Sequence, residues 1–117
     1  MTTIALPNGT MVPALGQGTW NMAEDAYRHA DEITALRTEI NFGMTVIDSA
    51  KMYVDSECER LVGHAIARRR QDVFLVSKAY PQNASRARLP NACEASLRRL
   101  STDRLDSICC TGAERFR

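Results

Sequence analysis

Long apolar runs are missing from this 117-residue chain: none approaches the ~20 residues that a helix needs to cross a bilayer. A secretory signal is missing too. Met1-Thr2-Thr3-Ile4-Ala5 has no basic stretch leading into an apolar one, so a cytoplasmic location is the default. Charge of one sign is absent. Fifteen Lys and Arg against 14 Asp and Glu leave +1, which gives no pull toward nucleic acid or an anionic membrane. Cysteine is sparse. Cys58, Cys93, Cys109 and Cys110 fit neither a paired zinc spacing nor a redox Cys-x-x-Cys, and read as reduced thiols. His29 and His64 have no partner at ligand spacing, so they read as surface residues and no metal is implied. Low-complexity segments are absent, and an apolar fraction of 44% suits one soluble globular unit.

Strands and helices alternate in what is there. Two short apolar runs flank Asn8-Gly9, a hairpin signal because both residues tolerate positive φ, and predict residues 3–6 paired with 10–13. Ala14 to Thr19 reads as a strand. Ala30 to Asn41 reads as a helix, with Ile33, Leu36 and Ile40 at helical spacing. Thr45 to Asp48 is a β-branched strand. Ser56-Glu57-Cys58-Glu59 reads as a capping box opening a helix that runs to about Arg69. Asp72 to Lys78 is nearly all apolar, which predicts a strand buried on both faces. Asn91 to Leu100 reads as a helix with Cys93, Leu97 and Leu100 inward, and Leu105 to Cys110 as the next strand. The pattern implies an α/β fold with a parallel sheet: an amino-terminal hairpin, then about four strands and three helices. A (β/α)₈ TIM barrel uses ~31 residues per unit, so this is a partial barrel of just under four units.

Polar residues fall where such a barrel keeps its active site, at the carboxy-terminal strand ends and the loops that follow. Gly18-Thr19-Trp20 follows the first strand, Asp48 ends the second, Tyr53 lies in the loop after it, and Lys78 ends the third. Free tyrosine titrates near ~10, and a neighbouring ammonium lowers that value. A tyrosine so placed can protonate a carbonyl oxygen while hydride reaches the carbon. Blander readings stand beside this one. Asp48 alone could cap a helix, and Tyr53 alone could be a packed ring with a wet hydroxyl. Lys78 is harder to place that way, since a lysine closing an apolar strand is seldom buried without a partner. Gly16-Gln17-Gly18 lacks the third glycine and the acidic residue of a dinucleotide loop. Arg68-Arg69-Arg70 is expected to complement the dipole of a helix carboxy-terminus.

The stretch from Gly43 through Asp48-Ser49-Ala50 to Tyr53, with Ser56-Glu57 and Leu61-Val62-Gly63, resembles the signature of the aldo-keto reductases. Val12-Pro13-Ala14-Leu15-Gly16-Gln17-Gly18-Thr19-Trp20 is similar to their opening segment. Val73 to Lys78 is similar to their lysine strand, and Ala92 to Leu100, then Thr102 to Asp106, to their third helix and its exit. The resemblance covers residues 6 to 106. It implies a barrel that binds NADPH without a Rossmann domain, is mostly monomeric, and reduces aldehydes or ketones to alcohols. It implies that Asp48 orients the lysine, Tyr53 donates the proton and Lys78 lowers the tyrosine's pKa. Trp20 would line the pocket of a small carbonyl substrate. Gly18, Thr19 and Asp48 would lie by the cofactor. Lys51 and Val54 depart from the acidic residue and glycine common in relatives of this type, and both flank Tyr53.

The resemblance stops after Asp106, which divides the chain into residues 1–106 and 107–117. The family's fourth strand reads Leu-Asp-Leu-Tyr-Leu-Leu-His-Trp, where this chain has Ser107-Ile108-Cys109-Cys110-Thr111-Gly112 after Leu105-Asp106. Suppose that Asp106 to Gly112 are encoded by GAC TCT ATC TGC TGC ACT GGC. One C inserted after GAC turns these codons into GAC CTC TAT CTG CTG CAC TGG, with the final C carried into the next codon, and that reads Asp-Leu-Tyr-Leu-Leu-His-Trp. A single-base deletion is therefore expected. Residues 107–117 would be an out-of-frame tail with no evolved structure, and the truncated chain would be inactive. The alternatives are a small non-catalytic binding module and a half-barrel that self-associates.

Overall fold

The structure is a computed structural model that describes residues 2–19, 22–50, 57–83 and 85–110. Strand β1 (Thr3–Ala5) pairs antiparallel with β2 (Met11–Pro13), Ile4 opposite Val12. The turn between them is not the two-residue Asn-Gly turn that the sequence suggests. Gly9 N donates to Leu6 O at 2.8 Å, which places Pro7 second in a four-residue turn. Proline presets the φ needed there, and Gly9 follows at φ +88°.

Four parallel strands come next: β3 (Gly16–Gly18), β4 (Val46–Asp48), β5 (Phe74–Ala79) and β6 (Ser107–Cys110). Their order in the sheet is their order in the chain. A barrel grows that way, whereas a doubly wound sheet reverses at a switch point. Helices α1 (His29–Asn41), α2 (Glu57–Ala65) and α3 (Leu89–Leu100) connect them. Strand β3 is shorter than expected and sits tightly against β4: a Cβ on Gly16 would lie 3.0 Å from Val46 Cβ and O. Gln17 is buried there, and its amide donates to Leu36 O and to Met44 O.

The core lies between the helices and one face of the sheet. Leu36 and Ile40 of α1 meet Ile47, Leu61, Val62 and Leu75. Strand β5 is not buried on both faces as expected. Leu75, Ser77 and Ala79 are buried, while Phe74, Val76 and Lys78 alternate with them and are only partly covered. The helices cover one face, and the pleat turns every second side chain to the other. On α3 the buried face centres on Ser96 and Leu100, and Cys93 is only half-buried. Cys58, Cys93 and Cys109 are free thiols.

Helix α2 ends at Ala65 instead of near Arg69, so the three arginines do not complement its last turn. Arg37 of α1 does that instead, donating to Ala65 O at 3.0 Å and His64 O at 2.8 Å. Arg70 opens a short 3₁₀ turn and reaches Thr102, Val73 O, Arg104 O and Asp106. Asp106 in turn accepts from Leu75 N at 2.8 Å, and its own N–H donates to Leu75 O. This reciprocal hook sets the register of β6. Ser107–Cys110, expected to lack evolved structure, then pair with Val76–Ala79. Ladder hydrogen bonds use backbone groups, which every residue except proline carries.

Candidate active site

Asp48 closes β4 and Lys78 is next to last in β5. Asp48 stands opposite Val76 in the ladder, so Lys78, two residues on, shares its face. The Lys78 ammonium contacts Asp48 Oδ1 and lies 3.4 Å from Ser49 O. The lysine side chain is 18% exposed and the aspartate 45%, so the pair is half in water. Gly18 pairs with Asp48 from the other side, and a Cβ built on it would meet nothing within 4 Å. Trp20 and Tyr53 lie outside the described residues.

Three buried side chains hold this corner. Thr19 is 1% exposed, and its hydroxyl donates to Asp48 O at 2.7 Å. Its side chain, expected beside the cofactor, is engaged with the backbone of the aspartate. Ser49 Oγ and N both donate to Val76 O, tying β4 to β5 one residue past Asp48. Cys58, in the first turn of α2, points its thiol at Thr19 O (3.3 Å) and Oγ1 (3.1 Å). Burial pushes the Cys58 thiol up to about 11, with a smaller downward pull from the Thr19 hydrogen bond. It is a protonated packing group at neutral pH and no nucleophile.

Glu59 is a residue that the sequence singles out only as half of a capping box. Its capping-box partner, Ser56, lies outside the described residues. The Glu59 carboxylate is fully buried, with Ser77 Oγ donating to Oε2 at 2.7 Å and Arg99 Nε to Oε1 at 2.7 Å. A signal was available: Glu59 and Val62 share one stripe of α2 that Ile66 continues just past its end, so a carboxylate interrupts an otherwise apolar face. A groove of about 560 Å³ between α2 and α3, lined by Arg60, His64, Arg98 and Arg99, lies away from the strand ends. It joins two helix carboxy-termini, whose carbonyls the cations offset.

The profile of the "Aldo/keto reductase family" matches residues 14–111. The methylglyoxal reductase YeaE of Escherichia coli K12 is 56% identical over 95 residues, covering 81% of this chain and 34% of that protein. The aldo-keto reductase YhdN of Bacillus subtilis is 33% identical, covering 90% of this chain and 35% of that protein. Among solved structures, an aldo/keto reductase of Klebsiella pneumoniae in complex with NADP and acetate is 49% identical with a TM-score of 0.86, covering 91% of this chain and 38% of that one. The chain thus spans about a third of the length of the curated relatives it matches. These relatives are (β/α)₈ barrels, and the four parallel strands are a consecutive part of one. With a matched profile over most of its residues and the fold of that profile in its sheet, this chain belongs to the aldo/keto reductase family.

Proposed function

We propose that this chain is part of an NADPH-dependent oxidoreductase that reduces a small aldehyde or ketone to the alcohol, with Asp48, Tyr53 and Lys78 carrying the proton chemistry. The observation that carries the reading is the half-buried Lys78–Asp48 pair at the carboxy-terminal strand ends. The similarity to YeaE makes methylglyoxal the first substrate to test.

The site suits the cofactor that the Klebsiella relative holds. Asp48 is nearly half exposed and can accept from a ribose hydroxyl, and among the described residues nothing lies within 4 Å of a Cβ built on Gly18 beside it. Thr19 would serve the same site through the Asp48 carbonyl. NADPH, when bound, supplies the hydride that reaches the carbonyl carbon. Tyr53 donates its phenolic proton to the carbonyl oxygen. The Lys78 ammonium favours the phenolate left behind, and Asp48 keeps that ammonium aimed. Trp20 would wall the substrate pocket.

Residues 107–117 are read as out of frame, because one base inserted into codons able to encode them would restore the family's fourth strand and its histidine. The 117-residue chain alone carries that histidine nowhere on β6, and no measurable carbonyl reduction is expected from it. The test is to resequence the locus through the codon for Asp106, restore one base, and assay the product with NADPH and methylglyoxal. Turnover should appear, and Tyr53→Phe should lower it about 10²–10⁴-fold, the usual worth of general acid catalysis. A corrected frame that stops within a few codons sinks the frameshift. A full-length product that ignores aldehydes, or is indifferent to Tyr53→Phe, sinks the function.

A further inference from the structure

We propose that Cys58 and Glu59 are positioning residues: from one turn of α2 they hold the strand ends that carry Asp48 and Lys78 in register with each other. The inference rests on the reading of Asp48, Tyr53 and Lys78 given above.

Successive helix residues point ~100° apart, so neighbours in one turn can address two different strands. Cys58 faces the β3–β4 side. Its thiol meets Thr19, whose hydroxyl in turn holds the Asp48 carbonyl at 2.7 Å. Glu59 faces the β5–α3 side. Its carboxylate takes the hydroxyl of Ser77, the residue immediately before Lys78. Ser77 and Lys78 stand on opposite faces of β5, so anchoring the serine from the helix side sets the backbone from which the lysine projects. Arg99 holds the second carboxylate oxygen, and Ser96 steadies Arg99, so Glu59 cannot turn away. The backbone that carries Asp48 and the backbone that carries Lys78 are thus each reached from α2 through one intermediate hydroxyl. The turn that does this begins directly after residues 51–56, among which Tyr53 stands.

Stability alone does not call for this arrangement. A buried ion pair replaced by apolar side chains of similar volume is often as stable or more so. The unreactive Cys58 thiol and the buried Glu59 carboxylate are better explained by where they reach.

The experiment uses the full 117-residue chain labelled at the lysine side-chain nitrogen. Lys51 and Lys78 are its two lysines. Proton exchange of the Lys78 ammonium with water, followed by NMR at mildly acid pH, reads how tightly Asp48 holds it. Lys51 serves as the internal reference. Ser77→Ala and Cys58→Ala each cut one link while leaving the Glu59–Arg99 pair intact. Ser77→Thr and Cys58→Ser keep a donor in place. The alanine variants should speed Lys78 exchange about tenfold, the equivalent of one lost hydrogen bond, with Lys51 unchanged, and the donor-keeping variants should restore slow exchange. If the alanine variants lower only the melting temperature and leave Lys78 exchange as it was, the two residues are structural ties and the proposal fails. Turnover is not the readout, so a failure of the proposed reductase activity would be seen separately.

Discussion

Replacing Glu59 by leucine tests the energetics of the buried pair. Glu59 is fully buried and Arg99 is 14% exposed, with 2.7 Å between Oε1 and Nε. Glu59→Leu leaves the guanidinium with Ser96 Oγ at 3.2 Å and removes the acceptor of Ser77. Breaking one side of a buried pair costs about 3–5 kcal/mol, because the surviving charge stays desolvated. Arg99→Met should cost a similar amount, since the Glu59 carboxylate would keep only Ser77. The double variant strands no charge. Its remaining deficit is the Ser77 hydroxyl, worth about 1–3 kcal/mol. The two single losses should therefore exceed the double loss by more than about 2 kcal/mol, toward or beyond the top of the range for contacting residues. Each single loss is a large share of the ~5–15 kcal/mol that holds a domain together, so either variant could be unfolded while the double variant folds. Urea unfolding followed by circular dichroism measures all four proteins. A double loss equal to the sum of the singles, within about 0.5 kcal/mol, would refute the reasoning.

Two further predictions concern the same helix. At Gly63 an added Cβ would lie 2.7 Å from Leu100 O and 2.9 Å from its carbonyl carbon. Gly63→Ala should therefore cost about 1–3 kcal/mol net of its better helix propensity, by urea unfolding, and a neutral or stabilising result would show that α3 can move away. The Cys58 thiol titrates at about 11 in the folded chain against an ordinary 9.0, so the unfolded chain gives up its proton first. That stability is fully present below about pH 9 and is lost as pH rises toward 11, at up to ~1.4 kcal/mol per unit. Cys58→Ala should remove this extra slope from unfolding free energies measured across the window, and parallel slopes for the two proteins would contradict the burial of the thiol.

Much of the candidate site is legible in the order of residues alone. Lys78 closes an apolar strand and Asp48 closes a β-branched one, and a parallel sheet brings such ends to one edge. Thr19, Ser77 and Glu59 are not legible in the same way. A hydroxyl that meets a carbonyl 29 residues away, or a carboxylate that meets an arginine 40 residues away, leaves no local period. Glu59 reads as half of a capping box because its spacing from Ser56 fits that motif as well.

The sequence by itself determined the alternation of strands and helices, the parallel sheet and the family, because hydropathy periods and motif spacing are properties of neighbouring residues. Only the tertiary structure decided which way each polar side chain turned. It sent Arg37, not the arginine run, to the end of α2, and Glu59 into the core. It also paired Ser107–Cys110, a segment beyond the quoted motifs, with β5. The reason is physical: Asp106 hooks Leu75 and Arg70, and once the chain is laid beside β5 its backbone groups find partners whatever side chains they carry.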